Sequence, residues 1–168
     1  KRTRIANLVC VDPPFNRTAA VTDRFVQIRA GSDIAFLSGL LNYALSHKRY
    51  HDDYVRLFTN ASFLVSEKYA FDEKRGVFSG WDPDRKAYTD KSSWSYELEE
   101  GGFARVDPTL EHPRCVFQVM KGFYARYTPE MVSTICGCSV DDFLKTAELI
   151  TSTYTTDRPG TIMYALGW

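Results

Sequence analysis

Two aspartates stand where a carboxylate can meet a ligand. Asp12 closes the apolar run Ile5-Ala6-Asn7-Leu8-Val9-Cys10-Val11, and Asp33 follows Gly31-Ser32 at the start of a helical pattern. In open α/β sheets ligands bind outside the carboxyl ends of the strands, where a carboxylate accepts hydrogen bonds from ribose hydroxyls. Glycine allows close backbone approach, and a helix start favours negative groups. A carboxylate at Asp33 also matches the paired ring N–H and amino donors that guanine presents. Each residue has a plainer reading beside this one: Asp12-Pro13 opens a turn, and Asp33 caps a helix.

The other reactive residue types form no catalytic set. His47 and His51 flank Arg49-Tyr50 near a helix end, which suits a cation on the helix dipole, and His112 precedes a proline in a connection. His112, Cys115, Cys136 and Cys138 are acceptable zinc ligands by type. The Cys136-Gly137-Cys138 spacing is tighter than a zinc knuckle, however, so ordinary packing or surface thiols are the expectation. Cys10 lies in an apolar run and reads as a buried thiol. Asp52-Asp53, Asp72-Glu73, Glu99-Glu100 and Asp141-Asp142 are adjacent carboxylates whose side chains diverge, so they read as solvated faces or caps. Asn16-Arg17-Thr18 and Asn60-Ala61-Ser62 fit the glycosylation pattern, a frequent one. No H-E-x-x-H, P-loop or G-x-G-x-x-G motif occurs.

The elements that must position Asp12 and Asp33 follow from periodicity. Residues 5–11 read as a buried strand stopped by Pro13-Pro14, and Phe25 to Ile28 as a second strand. A helix starts at Ser32 or Asp33, with apolar positions Ile34, Leu37, Leu40, Leu41, Ala44 and Leu45. Asp52 to Phe58 is a short helix. Residues from about 66 to 110 mix charges with aromatics and glycines and read as a turn-rich insertion, with a hairpin over Tyr96 to Val106 closed near Gly101-Gly102. Helices return after Pro113, after Thr128-Pro129 and after Ser139, where Asp142 suggests a capping box. Thr161 to Leu166 reads as another buried strand, and no internal repeat is evident. The expected class is α/β: a Rossmann-like sheet flanked by helices, with a β-hairpin insertion.

The bulk numbers set outer bounds. Lys plus Arg equals Asp plus Glu at 21 each, which argues against a general nucleic-acid or membrane-surface binder, since both need a basic field. Aromatics at 14% supply bulk for a core in a chain of 168 residues. No apolar run reaches the roughly 18 residues of a membrane span. The start at Lys1 without methionine and the end on Trp168 read as cuts in a longer polypeptide, so the lack of a signal peptide leaves the compartment, periplasmic or cytoplasmic, open.

Motifs carry the reading further. Val11-Asp12-Pro13-Pro14-Phe15-Asn16-Arg17-Thr18-Ala19-Ala20 resembles the V-D-P-R-F-T-R-T-A segment of molybdopterin oxidoreductases, and Ile28-Arg29-Ala30-Gly31-Ser32-Asp33 resembles their I-R-x-G-T-D. Within that family, Gly76 to Trp81, Lys91 to Tyr96, His112 to Phe117, Arg126 to Pro129 and Tyr164 to Trp168 resemble the large subunit of formate dehydrogenase rather than nitrate reductase. The resemblance covers essentially the whole chain. It implies an internal fragment of an enzyme that oxidises formate at a Mo or W ion held by two pterin guanine dinucleotides, with a selenocysteine or cysteine ligand. It also implies iron–sulfur clusters elsewhere, and as partners the rest of the large subunit and an iron–sulfur electron-transfer subunit. By the same resemblance Asp12, Gly31 and Asp33 contact one guanosine, and Gly167 and Trp168 lie near the other pterin. Pro14 stands where the family has a nucleotide-contacting arginine, whose fork of donors proline lacks. The metal ligand and the catalytic histidine and arginine fall outside this stretch. The alternative readings are an interaction module built on the aromatic-rich insertion, and another molybdopterin oxidoreductase such as a nitrate reductase, which shares the first two motifs but should lack the insertion.

Overall fold

The computed structural model describes residues 6–164. The chain divides into two compact units. One gathers the described residues up to His51 and those from Phe123 onward; the other is Asp52–Gly122 and encloses the aromatic-rich residues 66–110.

The first unit opens with strand β1 (Val9–Asp12), which pairs in parallel with β2 (Arg24–Gln27) in the register Val9↔Arg24 to Asp12↔Gln27. The connection between them, residues 13–23, holds a single 3-10 turn at Ala19–Val21. Helix α1 (Asp33–Ser46) follows β2, and α4 (Pro129–Cys136) and α5 (Val140–Thr151) pack against it. Val26, Ile28, Phe36, Leu40, Val132, Phe143 and Ala147 form the core, with Phe36 and Phe143 edge-to-face at 5.5 Å. Gly39 lies at the crossing, where a methyl group would stand 2.4 Å from Val132 Cγ2. Absence of a side chain there lets α1 approach its neighbours.

Two helix starts are built from local side chains. Thr128 accepts from the Met131 amide with Pro129 in the first turn, and α4 ends on Gly137 in the left-handed region at φ 80°. Ser139 accepts from the Asp142 amide at 3.0 Å and donates to the Asp142 carboxylate at 2.7 Å. This differs from a reciprocal capping box, in which the acid would reach back to the Ser139 amide: an aspartate is one methylene shorter than the usual glutamate.

The apolar stripe read along α1 is buried at Leu40 and Leu45, with Leu37 against the core, but not at Ile34 and Leu41. The buried residues are Ala35, Phe36, Ser38, Gly39, Leu40 and Leu45, whereas Ile34 is 71% exposed and Leu41 also faces outward. Helix α1 is apolar on more than one side, and the small residues Ala35 and Gly39 mark the packed face because they admit neighbouring helices. The strand expected over Thr161 to Leu166 is absent at residues 161–164, which carry no regular structure and are exposed, Met163 at 80%. Its last two residues lie outside the described ones. Every strand pairing among the described residues is two-stranded.

The second unit begins with α2 (Asp52–Phe58) and ends in α3 (Val116–Tyr124), which runs on into the other unit. Its centre is the extended segment Phe63-Leu64-Val65, bridged to Val106, Cys115 and Tyr96. Leu98 faces Ala104 across a turn through Gly101 and Gly102, both at positive φ. Glu97 receives Arg105 at 2.7 Å and Arg114 at 2.8 Å, which hold its carboxyl below the usual range, Arg105 foremost.

A repeat missed in the sequence appears here. Strand β3 (Phe71–Asp72) pairs antiparallel with β4 (Val77–Phe78), and β5 (Trp81–Asp82) with β6 (Ala87–Tyr88). Phe71-Asp72-Glu73-Lys74-Arg75-Gly76-Val77-Phe78 and Trp81-Asp82-Pro83-Asp84-Arg85-Lys86-Ala87-Tyr88 are the same hairpin twice. Each aspartate accepts from the amides two and three residues on, at 2.9 to 3.1 Å. Gly76 and Lys86 both take positive φ, at 67° and 49°. Each hairpin closes with a cross-strand aromatic pair, Phe71–Phe78 at 4.9 Å and Trp81–Tyr88 at 5.1 Å. Trp94 packs on Phe78 and Tyr88 and donates to the Ser79 carbonyl at 2.9 Å. Only the turn acid, the arginine and the aromatic ends are shared, so the periodicity is hidden among residues free to vary.

Candidate functional site

The parallel register of β1 and β2 carries their carboxyl ends to one edge. Asp12 is the last residue of β1, and its carbonyl accepts from the Ile28 amide at 3.5 Å as the chain leaves β2. One carboxylate oxygen of Asp12 accepts from Asn16 Nδ2 at 3.1 Å, while Asn16 Oδ1 accepts from the Ala19 amide at 2.9 Å. Asn16 thus shapes the turn after Asp12, and its amide is engaged internally. Asn60 likewise donates to the Tyr96 hydroxyl at 2.6 Å. Pro14 is exposed in the bend after Asp12 and brings no donor; its neighbour Pro13 is tied by its carbonyl to Gln27 Nε2 at 2.7 Å.

Gly31 and Asp33 follow β2 on the same edge. Gly31 is exposed at φ 78°, and among the described residues nothing lies within 4 Å of where a methyl group on it would stand, which leaves this stretch of backbone uncovered by them. Asp33 is the first residue of α1 and half-buried. Among the described residues its carboxylate accepts no hydrogen bond; its negative charge helps raise the Cys136 thiol, after burial, which is the larger cause. Ser32 does not cap α1 as its hydroxyl suggested. It donates to the Arg29 carbonyl at 2.6 Å, because the backbone between Arg29 and Ser32 turns tightly enough to bring that acceptor closer than the helix amides. Gly167 and Trp168 lie outside the described residues.

Sequence reasoning passed over the residues that hold this loop. The Arg29 amide donates to the Cys136 carbonyl at 2.7 Å, and Arg29 Nη1 to the Thr134 and Ile135 carbonyls at 2.6 and 3.0 Å. The guanidinium therefore caps the carboxyl end of α4, where orphan carbonyls and the helix dipole both attract a cation. The Cys136 thiol points at the Ser32 carbonyl at 3.5 Å. A glycine ending one helix and an arginine before another loop were the available signals, but nothing in their spacing paired them.

Cys10, Cys115, Cys136 and Cys138 are all free and buried, and burial, the first cause in each, pushes all four thiols up. None is a surface thiol. Among the described residues no three of His, Cys, Asp or Glu gather as metal ligands. His112 Nδ1 accepts from the Arg114 amide at 3.1 Å, a local turn contact. His47 ends α1 with Nδ1 2.9 Å from the Tyr43 carbonyl and its ring stacked on Tyr43 at 4.0 Å. No described helix is long and apolar enough to cross a membrane.

No protein-family model matches the chain. It is 49% identical over 163 residues to the Formate dehydrogenase-O major subunit of Escherichia coli, and 48% identical over 168 residues to the nitrate-inducible formate dehydrogenase major subunit of the same organism. It is 46% identical over 163 residues to the formate dehydrogenase subunit alpha of Megalodesulfovibrio gigas. These matches cover 97%, 100% and 97% of the chain, which spans about 16% of the length of each of these curated relatives. The chlorate reductase subunit alpha of Ideonella dechloratans is more distant, at 26% identity. Matched from end to end at nearly half its residues, the chain belongs by sequence to the formate dehydrogenase major (alpha) subunits, of which it corresponds to one segment.

Proposed function

We propose that the full-length protein oxidises formate to carbon dioxide at a Mo or W pterin centre, and that this segment holds a guanosine portion of a pterin guanine dinucleotide. In this reading β1 and β2 belong to a larger Rossmann-like sheet, and the ligand lies across their carboxyl edge. The observation that carries it is the half-buried Asp33 carboxylate, without a hydrogen-bond partner among the described residues, next to the open backbone at Gly31. A guanine supplies the two adjacent donors such a carboxylate lacks. Asp12, with one oxygen engaged by Asn16, has the other for a ribose hydroxyl. These residues fit the group. The metal and its pterin supply the redox chemistry when bound; this segment binds and orients.

The test is Asp33→Ala in the full-length subunit. Hydrogen bonds to a charged group contribute about 1.5–3 kcal/mol each, so loss of one or both predicts at least about a tenfold drop in retained dinucleotide under competitive washing. Guanine released per chain on denaturation is the measurement, and unchanged guanine content refutes the role of Asp33.

A second reading rests on the other unit, where Leu57, Phe58 and Phe103 are each more than 70% exposed. Such residues suit a surface docked by another part of the large subunit or by an iron–sulfur electron-transfer subunit. Both readings hold in one protein if the two units divide these tasks.

A further inference from the structure

We infer that Arg29 is a positioning residue for the dinucleotide site, acting as a clamp that ties the Gly31–Asp33 loop to the carboxyl end of α4. The inference rests on the reading of the site proposed above and extends it to residues that touch no ligand.

The clamp has four parts, all in one unit. The Arg29 backbone amide is bonded to Cys136, and its guanidinium to Thr134 and Ile135. Its carbonyl receives both the amide and the hydroxyl of Ser32, at 3.2 and 2.6 Å, which closes the turn carrying Gly31. The fully buried Cys136 thiol meets the Ser32 carbonyl from below. Gly137 completes the fit: a methyl group there would stand 3.2 Å from Arg29 Cζ and Nε, and its φ of 80° already disfavours any side chain. The guanidinium thus packs against a residue that leaves room for it.

The consequence is preorganisation. The loop between β2 and α1 has an exposed glycine at its turn, and without the clamp Asp33 would sample several positions. Apparent affinity falls in proportion to the fraction of molecules in the competent arrangement. Lysine reproduces this only in part: Nη1 alone meets both carbonyls, but an ammonium has no planar Cζ and Nε to pack over Gly137.

The experiment uses the full-length subunit carrying Arg29→Met, Arg29→Lys or Asp33→Ala, with two readouts. These are guanine nucleotide released per chain, and amide hydrogen exchange over residues 28–36 and 130–138 in nucleotide-free protein. Arg29→Met is expected to speed exchange at Ser32 to Phe36 about tenfold, equivalent to about 1.4 kcal/mol, and to lower nucleotide content comparably. Arg29→Lys is expected to fall between it and the unaltered protein. Asp33→Ala is expected to lose nucleotide with exchange at 130–138 unchanged. Should Arg29→Met fail to accumulate as folded protein, Arg29→Lys decides by the same readouts. Unaltered exchange, or faster exchange with full nucleotide content, in the Arg29 variants overturns the clamp. If Asp33→Ala keeps its nucleotide, the reading of the site fails instead, and the exchange data still judge the clamp.

Discussion

Replacing Gly39 with alanine adds one methyl group at the point where α1 crosses α4 and α5. That carbon would stand 2.4 Å from Val132 Cγ2, 2.9 Å from Phe143 Cζ and 3.2 Å from Phe143 Cε2. Carbon atoms rest at about 3.5–4.0 Å, so the helices must separate by roughly 1 Å or the side chains must turn. Neither escape is open: Val132 is 0% and Phe143 1% exposed, and a valine in a helix has essentially one comfortable rotamer. Overpacking of this kind costs about 1–3 kcal/mol. Alanine returns about 1 kcal/mol through helix propensity, leaving a net loss of up to about 2 kcal/mol. Urea unfolding of the chain followed by far-ultraviolet circular dichroism should show the midpoint fall with the slope unchanged. Adding Val132→Ala opens room for the new methyl group, so the double variant should lose less than the two single losses added, by about 1 kcal/mol. A midpoint that rises in Gly39→Ala alone would mean that propensity governs this position, and the close-approach argument would be refuted.

Other expectations follow from particular residues. Asp107 accepts from the hydroxyl and amide of Thr109 and from the amides of Glu111 and His112, and these bonds, that from the Thr109 hydroxyl foremost, hold its carboxyl at about 2 against an ordinary 3.8. A depressed folded value means that its stabilisation is complete above about pH 4 and is lost as pH falls towards 2; amide exchange at Thr109 to His112 should therefore accelerate across that window, and a flat profile would count against it. Gly80→Ala should open the second hairpin, because the new carbon would lie 1.7 Å from the Asp90 carbonyl oxygen at a φ of 87°; proteolysis between residues 80 and 90 should rise sharply, and unchanged resistance would contradict the geometry. The four thiols should resist maleimide labelling at pH 7 in folded chain and all react once it is unfolded, as peptide mass spectrometry can record; rapid labelling of any one in the folded chain would show its burial to be wrong.

Much of the candidate edge could be read from residue types. An apolar run broken by Asp12-Pro13-Pro14 determines a strand end, and Gly31-Ser32-Asp33 before an apolar period determines a helix start, because backbone preferences and period are local properties. Thr128-Pro129 and Gly137 marked the ends of α4 for the same reason. Identity to formate dehydrogenase major subunits at almost half of the positions along the chain identified the family more sharply than any motif chemistry.

Only the tertiary structure decided the rest. It assigned the packed face of α1 to Ala35 and Gly39 rather than Ile34 and Leu41, since which side of an apolar helix is buried depends on the helices that arrive against it. It showed Arg29 bonded to residues more than a hundred positions away, a pairing that no local pattern encodes. It turned Ser32 from a cap into a loop tie, and it revealed the twin hairpins whose likeness resides in hydrogen bonds and ring contacts more than in letters. Strand ends, caps and turns are set within a few residues; packing faces and clamps arise only when distant segments compete for the same neighbour.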